Sequence, residues 1–316
     1  MLIAGMVVFA FALVAQDSSV TSRATVDING HRVMDGPQKS TAKSTDGSTT
    51  TETVQSINGR PVPIERVEEH VLRDDANGRV VERLIRRFSP TGDPAPPVKE
   101  TVEEQKRVDG STTIQTTTYQ GDINGALQLQ RKSTTEMLKS ESSETVETVV
   151  QQPTVNGSLE TVEKRSSVTV KDAGGYREDS ARYIRDGNGN FSLAVRQSTE
   201  HTQQGSEASD NTAEYEIGLD GRLQLHSQTA AKTVTRPDGS KAVELNVFGQ
   251  SAAGTVNPDG SNKLKLQEQQ LIETKPGPGG TVVETVSVRR PSLADPNTLG
   301  PAKQLSVTVC RGKCDR

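Results

Sequence analysis

Leu219-Asp220-Gly221-Arg222-Leu223-Gln224-Leu225-His226 joins a turn to a strand. Asp-Gly is read as a two-residue reversal with the twist an antiparallel hairpin needs. Leu223 and Leu225 then fall on one face of the following strand.

The phrase repeats. Gly125, Gly157, Gly189 and Gly221 follow one another at 32-residue intervals, and Gly260 comes 39 residues later. Further turns near Ser142, Gly174, Gly205 and Gly239 fall between them. The chain therefore reverses about every 16 residues, two strands to a unit. Alternation continues in the return segments: Tyr215, Ile217 and Leu219; Val243, Leu245 and Val247; Leu305, Val307 and Val309. Period two means one covered face and one wet face.

The predicted fold is all-β: a long antiparallel meander of repeated hairpins in units of about 32 residues, forming an open curved sheet or a sandwich, with a closed soluble barrel as the alternative. Tyr183-Ile-Arg-Asp-Gly-Asn-Gly189-Asn-Phe and Tyr215-Glu-Ile-Gly-Leu-Asp-Gly221-Arg-Leu resemble the tyrosine-aspartate hairpin repeats of bacterial shell-forming toxin proteins. The likeness covers two units and is one of hairpin chemistry, not kinship.

Composition limits what such a sheet can enclose. Of 316 residues, 31% are hydrophobic and 3% aromatic, with no Trp. Leu, Ile, Val and Phe make about a fifth of the chain, near the roughly 20% below which chains tend to stay disordered. The 37 basic and 41 acidic side chains nearly cancel, to a net charge of -4, which argues against disorder by self-repulsion. Thr, Val and Gly supply strands and turns instead. A mild acidic balance gives no reason to expect nucleic acid.

Residues 1–16 are read as a signal peptide. Met1 to Ala15 is an unbroken apolar run, shorter than the roughly 20 residues a spanning helix needs. It lacks a preceding Lys or Arg, and an uncleaved anchor is the alternative. No second apolar run follows, so the mature chain is expected to have no transmembrane span. The expected location is secreted, periplasmic or cell-surface.

Residues 17–53 read as a polar Thr/Ser-rich leader, partly ordered, and 54–88 as a charged hairpin region, with a helix over Val67, Val71 and Leu72 as the alternative. Residues 89–98 hold four prolines and read as a linker or exposed loop. The hairpin repeats occupy 99–309, and 310–316 form a Cys-containing tail.

Chemical signals are few. Cys310 and Cys314 make an even pair in an exported chain and read as a short-loop disulfide. An intermolecular link or a reactive pair beside Arg311 and Lys313 is the alternative. His31, His70, His201 and His226 show no ligand spacing. Asp186-Gly-Asn188-Gly-Asn190 matches the start of a calcium loop, but Phe191 stands where Gly belongs and Gln197 where Glu belongs. Glu100, Glu103 and Glu104, like Glu141, Glu144 and Glu147, read as a solvated face. No catalytic residue, metal ligand or cofactor is assigned.

The leading functional reading is an exported, non-enzymatic β-repeat protein, structural or adhesive, whose partner is an unknown protein or cell surface; the oligomeric state is open. The first alternative is an outer-membrane-associated β-barrel or transport component, for which 3% aromatics looks too little to build interfacial girdles. The second is a secreted polysaccharide-binding protein or hydrolase.

Overall fold

The computed structural model describes residues 17–26, 32–34, 37–45, 47–57, 59–122, 124–218, 221–250, 264–292 and 298–311. The leader run 1–16 and Cys314 lie outside them. The strands are β1 (Asp17–Val26), β2 (Arg32–Met34), β3 (Gln38–Thr45), β4 (Ser48–Ile57), β5 (Arg60–Asp75), β6 (Gly78–Arg87), β7 (Val98–Lys106), β8 (Thr112–Gly121), β9 (Leu127–Lys139) and β10 (Ser143–Pro153). They continue as β11 (Leu159–Asp172), β12 (Gly175–Arg185), β13 (Phe191–Gln204), β14 (Glu207–Ile217), β15 (Leu223–Thr235), β16 (Lys241–Gln250), β17 (Leu264–Pro276), β18 (Thr281–Arg289) and β19 (Lys303–Arg311).

Every pairing is antiparallel, and each strand from β3 onward pairs with its successor in the chain. β1 pairs with β19 on one side and with β2 and β3 on the other. β2 and β3 share one position in the wall, so the meander closes into an 18-strand barrel. Closure abolishes sheet edges, which answers how so polar a ribbon avoids edge pairing. The charged stretch after position 54 is a hairpin, β5 with β6, and not a helix. The Pro-rich stretch joins β6 to β7, neighbours in the same wall.

The turns differ from the two-residue form that Asp-Gly suggested. Around Asp109 the Arg107 N–H donates to Ser111 O at 2.8 Å and the Gly110 N–H to Arg107 O at 3.1 Å. The same pair of bonds recurs at 122–126, 154–158, 186–190, 218–222 and 236–240. These are three-residue loops that close on a glycine of positive φ, as at Gly110 (83°). Two-residue turns occur where Asp172 faces Gly175 and Gln204 faces Glu207.

A second regularity marks five of the hairpins. Pairing skips one residue five positions after the turn glycine: Ile64, Gln130, Val162, Ala194 and His226. Gln267 and Leu305 are skipped in the same way on β17 and β19. Each is a bulge that sharpens local twist and bends its strand. Repeated around the wall, these bends help a broad sheet curl shut.

Directly paired residues of an antiparallel ladder share a face, so the registers carry each face around the barrel. One face runs Val81, Val102, Thr116, Ser133, Val150, Glu163, Ile184. The other runs Val80, Glu103, Gln115, Thr134, Val149, Lys164, Tyr183. Side chains converge on the concave side of a closed wall and diverge on the convex side. Val81 and Val150 are 2% and 3% exposed, whereas Leu138, Val168 and Val170 on the second face are exposed. The first face therefore lines the lumen.

Eighteen strands about 4.8 Å apart give a circumference of roughly 86 Å, too wide for side chains to fill the interior. The accessible surface is 20920 Å², against roughly 12,800 Å² for a compact protein of this mass. The lumen is wet, and burial comes from neighbours within the wall.

Candidate functional site

Two arcs of the lumen differ in charge. On β5–β7 the lumen positions alternate Val or Ile with charge: Glu65, Glu69, Arg79, Arg83, Glu100 and Glu104 among them. Arg83 Nε donates to Glu69 Oε2 at 2.7 Å, Arg79 lies 3.7 Å from the other oxygen of Glu69, and Arg87 reaches Glu65 at 3.2 Å. Acid and base interleave, and the Val81 row packs between them.

Nearly opposite, β14 presents Asp210, Thr212, Glu214 and Glu216 to the lumen. The flanking lumen positions are Val195, Gln197, Thr199 and His201 on β13, and Ser227, Thr229, Ala231 and Thr233 on β15. None is Lys or Arg. Asp210 is met by His201 Nδ1 at 2.6 Å, and His201 stacks on Tyr176, with ring centroids 4.9 Å apart. His226, on the bulge of β15, lies 3.5 Å from Glu216. The fold thus brings two of the scattered histidines onto one carboxylate strand. His70 instead sits against Ser48 Oγ at 2.7 Å on the outer face, and His31 is outside the described residues.

The outer face has its own pattern at the end that carries the turns 122–126, 154–158, 186–190 and 218–222. Tyr119, Tyr183, Phe191, Tyr215 and Phe248 all point outward there. Phe88 follows β6 at the same end, and Tyr176 is the one described aromatic on the lumen face. Leu127, Leu159, Ile217 and Leu223 fill in between and are exposed. The result is a belt over β8–β17, with Lys164 Nζ 4.5 Å above the Phe191 ring. Beyond the belt the outer wall is charged, with Lys132, Glu136, Glu147 and Arg196 on it. The 3% average hid this concentration. The legible signal was that the aromatics stand within a few residues of the main turns.

Other sequence candidates resolve locally. Asp186 Oδ1 accepts from the Asn188 and Asn190 amides, so that segment is a hairpin turn. Glu100 and Glu104 face the lumen while Glu103 faces outward, as Glu144 and Glu147 also divide. Cys310 ends β19 on the lumen face, buried opposite Val282. Among the described residues no group of three His, Cys, Asp or Glu side chains is placed to hold a metal ion.

With this geometry the barrel is similar to Pseudomonas aeruginosa OpdL, at TM-score 0.57 and 9% identity, covering 94% of this chain and 98% of that one. It is less similar to Acinetobacter baumannii OccAB4, at 0.47 and 10% over 95% and 98% of the two chains. OmpT, an outer membrane protein of Vibrio cholerae, gives 0.36 and 7% over 95% and 99%. No family model matches the sequence, and no curated protein does.

The chain is a large closed β-barrel that shares its fold with Pseudomonas aeruginosa OpdL. That overturns the expectation of a mature chain without a transmembrane span, because this is the architecture of membrane-spanning barrels. The expectation rested on apolar run length. No described helix is long and apolar enough to cross a membrane. Strands of a closed barrel cross with all backbone groups paired and need no such run.

Proposed function

We propose that this protein is an outer-membrane-associated β-barrel that gives polar solutes a water-filled passage. The observation that carries the reading is the closed 18-strand wall with a hydrophilic lumen; barrels of 16–18 strands leave an aqueous channel. The outer Tyr, Phe and Leu belt is the surface suited to the lipid–water boundary, where aromatic rings collect. The export signal expected over residues 1–16 and the disulfide expected between Cys310 and Cys314 would fit the same compartment.

The test is conductance. The purified full chain, added to planar bilayers, is expected to give stepwise conductance and to let small sugars swell liposomes. A barrel that neither conducts nor floats with liposomes refutes the reading.

A second reading, a surface-exposed interaction element, draws on the charged outer wall beyond the belt. It predicts a barrel that stays in the aqueous phase of the same flotation experiment.

A further inference from the structure

We infer that the passage favours cations, and that the preference originates on the lumen face of β14. This rests on the proposed aqueous passage and narrows it to a class of permeant. Three separate observations converge. Asp210, Glu214 and Glu216 are spread along most of the strand's height and are not gathered at one point. Glu178 on β12 extends the acidic run sideways, since it pairs with Thr199, which pairs with Thr212, while Arg182 on the same face of β12 lies 3.9 Å from Glu163 and is matched by it. The lumen positions of β13 and β15 beside them hold amides, hydroxyls, small apolar groups and the His201 imidazole, with no Lys or Arg among them.

The opposite arc does not cancel this field. On β5–β7 three lumen arginines are matched by nearby carboxylates: Glu69 for Arg83 and Arg79, Glu65 for Arg87. Paired charges leave little potential at a distance, whereas carboxylates in an enclosing wall raise the local concentration of counter-ions. Acidic side chains along a passage select cations by this means. The flanking Thr199, Thr212 and Thr229 hydroxyls and Gln197 offer further oxygen to a passing cation.

The experiment is a reversal-potential measurement across a KCl gradient with the full chain in a planar bilayer. The wild type is expected to show a potassium-to-chloride permeability ratio of at least about 2. The E214Q/E216Q double variant is expected to lose about half of that ratio at similar unitary conductance. A Glu69→Gln variant on the opposite arc, made as the control, leaves the ratio higher than the double variant does.

Conductance without cation preference, or a preference that survives the double variant, overturns this inference and leaves the passage standing. No conductance at all overturns the passage and this inference together. Far-ultraviolet circular dichroism identifies a double variant that fails to fold. The single variants Glu214→Gln and Glu216→Gln then carry the same test, each expected to lose part of the preference; if neither does, the inference falls.

Discussion

The two lumen arcs use one backbone plan for different ends. On β5–β7, Val81, Val102 and Ile85 stand in a row beside interleaved Glu and Arg, and the wall is knitted by its own side chains. On β13–β15, Thr199 and Thr212 share a hydroxyl bond of 3.1 Å, and Asp210 and Glu216 beside them are met by His201 and His226. The first arc puts its polar groups into stability. The second leaves them facing water, and so available to whatever enters the lumen. Local register alone sets both, because the lumen face is every second residue.

The largest test strikes both arcs at the same structural position. Gly78 and Gly175 each open a strand directly after a two-residue turn, and a Cβ on either would run into the backbone carbonyl of the neighbouring strand, Glu104 and His201 respectively. Gly78→Ala and Gly175→Ala are each expected to cost about 3 kcal/mol, read as a lower urea midpoint. Equal losses would show that the frame of the wall is common to both arcs, and a loss confined to Gly78→Ala would show that the second arc is looser.

Side-chain truncation should then separate them. Val81→Ala removes methyls from a site only 2% exposed and is expected to cost about 2 kcal/mol. Thr212→Ala on the other arc forfeits one hydroxyl bond and is expected to cost less than about 1 kcal/mol. Smaller still is the charge comparison. Glu69→Gln breaks a partly exposed ion pair worth about 1 kcal/mol, while Glu214→Gln relieves like-charge crowding and leaves the urea midpoint level or slightly higher.

The smallest effect lies in the turns that both arcs share. Ser111 and Ser240 donate side-chain and backbone hydrogen bonds to Asp109 and Asp238, holding both carboxyls below their ordinary value. A carboxyl depressed by folding stabilises the folded state above its unfolded pKa. That contribution is lost as pH falls through the lower, folded value. Melting temperature is therefore expected to fall on acidification below the ordinary carboxylate range, with a shallower slope in the D109A/D238A double variant. An unchanged slope would remove these two turns from the acid response.

Much of this architecture could be read from the chain. The 32-residue spacing of Gly125, Gly157, Gly189 and Gly221 predicted the hairpins because each turn is a local event fixed by a few residues. Closure was not legible. It depends on β1 meeting β19, a pairing such as Ser22 with Val309 that no local pattern announces. The loop geometry was misread because Asp-Gly occurs both in two-residue turns and at the end of three-residue loops. The belt escaped because composition averages over length: Tyr183 and Tyr215 look sparse in the sequence and become neighbours only through β13. His201 and Asp210 lie nine residues apart across a turn, a spacing typical of a hairpin and of no metal motif.

The skipped residue that follows each main turn by five places has a further bearing. A segment of 32 residues brings its own corner, its own bend and its own outward leucine, and it leans only on the staves beside it. Duplicating such a segment would widen the cylinder by two staves without rewriting any other. The girth of this protein is then a matter of counting copies, and one hairpin plan admits bores of several calibres.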